Sequence, residues 1–178
     1  MTEVYAAAGE DGRLLAWPLL AAAARQRWGW TALPPVERSP RGKPLFAGRQ
    51  DRWFSLSHSG GAALCALSGG PVGVDVELVR PRRSGLPRRL LSPSELARFD
   101  GSWEDFFRIW TLKESWCKRE DAPLYPPGAV ETPPPCPHKS YAGEGWRAAV
   151  CCFDEPPPGI IWLEAGTLDL TAEKEGPL

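Results

Sequence analysis

The sequence predicts an α+β fold, and three observations carry that prediction. Residues 14–30 (LLAWPLLAAAARQRWGW) are Leu- and Ala-rich and lack β-branched residues, which is helical composition. Three short apolar or alternating runs, WFSLSHS (53–59), AALCALSG (62–69) and PVGVDVELV (71–79), are separated by Gly-Gly pairs, as antiparallel strands are. Strand-like runs recur at GWRAAVCCF (145–153) and GIIWLEAG (159–166) after a second helical segment, so both halves of the chain hold strands and a helix.

Each element follows in order. The first helix is expected to begin near Pro18, since proline suits a first turn, and residues 33–44 interrupt it. The three runs between 53 and 79 are expected to form a meander. Residues 80–90 (RPRRSGLPRRL) hold five arginines, two prolines and a glycine, a solvated connection that divides an N-terminal half, 1–82, from a C-terminal half, 83–178. Ser92-Pro93-Ser94-Glu95 is a helix start, with Ser92 as N-cap and Glu95 three residues on. A further helix is expected from Trp103 to Lys118, where Phe106, Phe107, Trp110, Ser115 and Trp116 recur at helical spacing. Seven prolines between 123 and 137 exclude helix and central strand and make that stretch a loop. The runs at 145–153 and 159–166 read as paired strands, and the TAEKEGPL tail as frayed.

Composition bounds the function. With 178 residues, 43% of them apolar, and nine tryptophans, the chain can bury a real core as one domain or two tightly joined halves. A formal charge of −1 argues against general nucleic-acid binding, which draws its affinity from phosphate neutralisation. Arginine outnumbers lysine 16 to 5, a bias toward groups that fork onto phosphate and carboxylate. Five cysteines without paired CxxC spacing give neither a disulfide framework nor a zinc ribbon. The N-terminus has no signal-like apolar core, and no run approaches the ~20 apolar residues of a membrane span, so the expected location is cytoplasmic.

Four short segments carry chemistry. Asp75 and Glu77, two apart on a strand, share one face while Val74 and Val76 take the other. Such a pair suits a hard cation like Mg²⁺, but on its own it more often marks the solvent-facing edge of a sheet. Glu114 and Lys118 are i,i+4 neighbours, an arrangement that on an exposed helix is worth only ~0.2–0.5 kcal/mol. Ser57-His58-Ser59-Gly60-Gly61 offers hydroxyls, an imidazole and turn amides for an anion. Ser57 and His58, adjacent on a strand, point oppositely and cannot form a nucleophilic couple; alone, His58 reads as a structural histidine.

Taken in order, Gly42-Lys43-Pro44, Phe54–Gly61, Val72–Glu77 and Trp110–Lys118 (WTLKESWCK) resemble the phosphopantetheinyl transferases of the two-half, surfactin-synthetase-activating type. The resemblance is close over 42–118 and general elsewhere. It implies a pseudo-dimer of two α+β halves, each a small antiparallel sheet packed with helix, with the site in the cleft between them. It also implies transfer of the 4′-phosphopantetheine arm of coenzyme A to a serine hydroxyl of an acyl or peptidyl carrier protein. Asp75, Glu77 and Glu114 would hold Mg²⁺ on the pyrophosphate, and Lys118 would contact the phosphates. Ser57 and His58 would meet the adenosine 3′-phosphate, and Lys43 would touch coenzyme A. Glu114 is the candidate base, directly or through a metal-bound water, and a single chain of two halves is expected to be a monomer.

Two other readings stand beside this one. The first is a coenzyme A-binding homologue without transfer activity, its C-terminal loop (Arg119 to Pro127) departing from the Gly-containing turn common in the family; the intact Asp75, Glu77, Glu114, Lys118 set argues against it. The second is a metal site of Cys136, His138, Cys151 and Cys152, disfavoured because adjacent Cys151 and Cys152 on a strand point apart. The arginines at 80–89 are either a solvated linker or a docking surface for an acidic partner.

Overall fold

The computed structural model describes residues 1–123, 126 and 130–170. Nine strands and four helices build it: β1 (Glu3–Ala8), α1 (Gly12–Trp28), β2 (Val36–Arg38), β3 (Pro44–Phe46), β4 (Trp53–Ser59), β5 (Ala62–Ser68), β6 (Gly73–Leu78), α2 (Leu86–Leu90), α3 (Pro93–Leu96), α4 (Trp103–Glu120), β7 (His138–Gly143), β8 (Trp146–Cys151) and β9 (Ile161–Trp162). The class is α+β, with small antiparallel sheets packed against helices. The expectation for the 171–178 tail lies outside the described residues, as do parts of the 123–137 loop.

Period-two burial explains the layering. Along β1 and β5, Tyr5, Ala7, Ala63, Cys65 and Leu67 face Leu15, Trp17, Leu19 and Leu20 of α1. The intervening Val4, Ala6, Leu64 and Ala66 face Val72, Val74, Val76, Ala148 and Val150 of the second sheet. That sheet turns Ala149 and Cys151 toward Leu112 of α4. The order is therefore α1, the four-stranded sheet β4-β5-β1-β9, the three-stranded sheet β6-β8-β7, and α4.

Several expectations are corrected. The first helix starts six residues before Pro18, at Gly12, because Asp11 caps it by accepting from Arg13 N at 2.9 Å. Pro18 sits inside and forfeits one helical bond, a cost of ~3 kcal/mol. Burial of Leu15, Trp17, Leu19 and Leu20, each ~1.5–3 kcal/mol, offsets it. The runs from 53 to 79 are not a meander: β4 and β5 form a hairpin, but β6 leaves it and pairs with β8, Asp75 opposite Ala149. Nor are 145–153 and 159–166 paired with each other. β8 pairs with β6 and β7, while β9 joins β1 in parallel.

The arginine-rich stretch is not wholly irregular, since Gly85 and Pro87 start the short helix α2. Ser92 does cap α3 through a full capping box with Glu95, but α3 lasts only one turn. β1, β2, β3 and β7 have no counterpart in the sequence reading.

Candidate functional site

Strand β6 presents the carboxylates, and its pattern G-V-D-V-E explains how. Val74 and Val76 enter the inter-sheet core, which turns Gly73, Asp75 and Glu77 toward α4. At Gly73 a Cβ would lie 1.9 Å from the Ser115 carbonyl oxygen, so only glycine lets the helix come this close. That approach places Glu114 and Lys118 over Asp75. Ligand oxygens of Asp75, Glu77 and Glu114 lie within 4.8 Å of one another, the one such trio of acidic, Cys or His groups among the described residues.

Lys118 closes the cluster. Its ammonium lies 2.6 Å from Asp75 Oδ1, 3.1 Å from Ser57 Oγ and 3.9 Å from Glu114 Oε2. Asp75 is 2% exposed, and its second oxygen, Oδ2, has no hydrogen-bond partner among the described residues. A buried carboxylate oxygen without a donor, with two more carboxylates beside it, suits a cation ligand.

The charges perturb one another. Burial, reinforced by the negative charges of Asp75 and Glu77 and opposed by Lys118, pushes Glu114 up to about 8. Burial also raises Glu77, against the hydrogen bond from Ser59. For Lys118, burial pulls downward, but the Asp75 and Glu114 carboxylates outweigh it and the net direction is up. When all three are ionised, the acids around the one ammonium leave a negative excess that a divalent ion would match.

A cleft of about 380 Å³ opens beside this cluster, lined among others by Lys43, Leu56, Glu114, Lys118 and Asp121. Lys43 reaches it from the turn before β3, where Gly42 takes φ 89°. Its ammonium donates to the Val72 carbonyl at 3.1 Å and the Arg119 carbonyl at 3.4 Å, and burial lowers it to about 8 against the pull of Asp121. Arg41 donates to the Asp121 carbonyl at 2.9 Å. Both contacts fasten the Gly42-Lys43-Pro44 turn to the C-terminal end of α4, where carbonyls carry the negative end of the helix dipole.

The structure thus brings together Ser57, Asp75, Glu77, Glu114 and Lys118, and puts Lys43 in the same cleft. Ser57 is buried, whereas His58 is exposed, as strand alternation requires. Partial desolvation by its surroundings, then the charge of Lys118, lowers the His58 pKa. The Cys136, His138, Cys151 and Cys152 alternative gathers no metal-like trio among the described residues.

Sequence reasoning missed Ser55, and read Ser59 only as part of an anion-binding turn; both flank Ser57 at period two and bond β6 alongside it. It also missed Lys113 and Glu95, a pair at 2.6 Å with both side chains 0% exposed. The S-x-S-x-S alternation carries a readable signal; a lysine on the apolar face of α4 is a weaker one.

A family model, that of the 4′-phosphopantetheinyl transferase superfamily, matches residues 71–127, the stretch that holds Asp75, Glu77, Glu114 and Lys118. The chain is similar to the 4′-phosphopantetheinyl transferase Sfp of Bacillus subtilis, 30% identical over 132 residues that cover 62% of this chain and 59% of the relative. It is similar also to the 4′-phosphopantetheinyl transferase AcpT of Escherichia coli, 40% identical over 95 residues that cover 49% of each chain. The matches span 49% to 59% of these relatives' length.

Proposed function

We propose that the chain is a 4′-phosphopantetheinyl transferase, as its family-model match over 71–127 and its similarity to Sfp and AcpT support, and that it transfers the 4′-phosphopantetheine arm of coenzyme A to a serine hydroxyl of an acyl or peptidyl carrier protein, with Mg²⁺ as cofactor. The observation that carries the reading is the convergence of Asp75, Glu77 and Glu114 beside Lys118, at the mouth of a cleft that Lys43 also lines.

The chemistry fits these residues. The serine oxygen attacks the phosphorus bearing the pantetheine arm, the bond from that phosphorus to the bridging oxygen breaks, and adenosine 3′,5′-bisphosphate leaves. Asp75, Glu77 and Glu114 would hold the Mg²⁺, and Asp75 Oδ2, without a hydrogen-bond donor among the described residues, is the oxygen most free to do so. When bound, the ion supplies charge neutralisation on the pyrophosphate. Lys118 stands where its ammonium can pair with the same phosphates. Glu114, raised to about 8, either takes the serine proton or serves only as ligand, and a carboxylate committed to a cation is a poor base. Lys43 and His58 are the groups assigned to coenzyme A, His58 to its 3′-phosphate. The two-half organisation, divided near residue 82, and a monomeric state in the cytoplasm complete the proposal.

The test is mass spectrometry of a panel of apo carrier proteins incubated with this protein, coenzyme A and Mg²⁺. A mass gain equal to the phosphopantetheine arm, lost on chelation, is expected. Binding of coenzyme A without transfer to any carrier would replace the reading with that of a coenzyme A-binding homologue.

A further inference from the structure

Strands β4 and β6 run beside each other at the edges of two different sheets, yet no backbone ladder joins them. Serine hydroxyls do. Val74 N–H donates to Ser55 Oγ at 3.1 Å, Val76 N–H to Ser57 Oγ at 3.2 Å, and Leu78 N–H to Ser59 Oγ at 3.2 Å. Period two in both strands keeps the three bonds in step. Each satisfies an amide of β6 that would otherwise lack a partner at the seam.

A hydroxyl that accepts from an amide still has a proton to give, and the destination differs along the seam. Ser57 gives its proton to Asp75 Oδ1 at 2.7 Å, and Ser59 gives its own to Glu77 Oε2 at 2.8 Å. Ser55 stands opposite Gly73, which has no side chain to receive one. The seam therefore has two members that hold carboxylates and one that does not. Ser57 is the most committed, because it also accepts from the Lys118 ammonium at 3.1 Å and is 7% exposed. Its hydroxyl is engaged wholly within the protein.

We propose that Ser57 and Ser59 are positioning residues for the cation site, orienting Asp75 and Glu77 so that Asp75 Oδ2 is turned free for the ion, while Ser55 serves the seam alone. This rests on the reading of the acidic trio as a metal site. It gives the Ser57 hydroxyl a task other than contact with the adenosine 3′-phosphate. A donor bonded to one oxygen of a carboxylate fixes its rotamer and leaves the second oxygen available. The two serines thus act on the metal through its ligands.

The experiment is calorimetric titration of Mg²⁺ into the wild type and into S55A, S57A and S59A, with thermal unfolding of each in chelator. All three variants lose one seam bond, so all should unfold at lower temperature. Only S57A and S59A should bind Mg²⁺ more weakly, by about tenfold or more, the scale on which groups that hold metal ligands act. S57T, which keeps the hydroxyl, should restore the wild-type affinity. If S57A does not fold, S57C takes its place, filling the same space with a weak donor. Equal loss of affinity in S55A and S57A, or none in S57A, would overturn the positioning role while leaving the metal site standing. Absence of Mg²⁺ binding by the folded wild type would overturn the metal reading itself and this inference with it.

Discussion

Helices α1 and α4 are of nearly equal length, 17 and 18 residues, and each covers the outer face of one sheet, but they are built on opposite principles. α1 buries only apolar or small residues and tolerates a proline in its interior. α4 buries Thr111, Lys113 and Ser115 together with Phe106 and Phe107, and it carries Glu114 and Lys118 onto the acidic face of β6. The first helix can be held by area alone, because nothing on it needs a fixed geometry. The second must hold two ionic side chains over a strand, and the buried Lys113–Glu95 pair fixes its other flank. There Lys113 donates to the Leu90 carbonyl at 3.1 Å, and Glu95 accepts from Ser92 N at 2.8 Å and from Thr132 Oγ1 at 2.7 Å.

Five changes break or sharpen this contrast. The largest effect belongs to the ionic surface of α4 and its strand. Asp75→Ala and Glu114→Gln should each lower the proposed transfer by roughly three orders of magnitude, since the cation they are proposed to hold would be worth several kcal/mol to the transition state. Circular dichroism and the unfolding midpoint should show both variants still folded. Turnover kept in either one, with unchanged Mg²⁺ dependence, would remove that carboxylate from the site.

Next in size is the buried pair. Lys113→Met alone should cost ~3–5 kcal/mol, because Glu95 is left in the core without its cation, whereas the double change Lys113→Met with Glu95→Leu should recover part of the loss, Ser92 N–H and Thr132 Oγ1 still lacking their acceptor. Denaturant titration of the four members of this cycle measures the coupling. Equal losses in single and double variants would show that the ion pair is not what holds this flank.

On α1, Leu19→Ala should cost ~2–5 kcal/mol from a cavity against the first sheet, with transfer per folded molecule unchanged. A fall in kcat in fully folded protein would mean that the two helices are not the independent layers described here.

A smaller effect separates His58 from its neighbour Ser57. Dephospho-coenzyme A should be a poorer donor than coenzyme A for the wild type by about 1.5–3 kcal/mol, and His58→Ala should erase most of that difference. The comparison is kcat/KM for both donors on both proteins. An equal fall for both donors would make His58 a structural residue of the strand end.

The smallest effect is on pH dependence. Glu114 in the folded, metal-free chain keeps its proton up to about 8, above the ordinary carboxylate range, so its contribution to stability is present at low pH and is lost as pH rises from near 4.5 through about 8. Glu77, also raised, acts in the same direction, while the lowered His58 opposes it near neutrality. Melting temperatures in chelator from pH 5 to 8 should therefore fall less steeply with pH for Glu114→Gln than for the wild type. Identical slopes would deny the raised Glu114.

How far the sequence alone reached is clearest at particular elements. Its strands at 53–59 and 62–69 are found within a residue: β5, buried on both faces, is delimited by Gly-Gly pairs, while β4 shows its two faces in the alternation of Phe54 and Leu56 with Ser55 and Ser57. The helix over Trp103–Lys118 is found two residues short for the same kind of reason. β1 escaped because Val4, Tyr5, Ala6 and Ala7 are all buried, so a strand covered on both faces shows no alternation. β7 escaped because its exposed positions make HKSYAG read as loop.

The candidate site divides in the same way. Spacing put Asp75 with Glu77 and Glu114 with Lys118 on shared faces, since each pair lies within one rigid element, but it was the resemblance carried by the four motifs in order that singled them out as a site. Which element faces which depends on long-range pairing, and no local pattern encodes it. Only the tertiary structure decided that β6 leaves the hairpin for β8, that Gly73 admits α4 to within contact of the strand, and that Ser55, Ser57 and Ser59 bond the seam between two sheets. Sequence period sets the direction in which a side chain points, whereas packing between distant segments sets what it meets there.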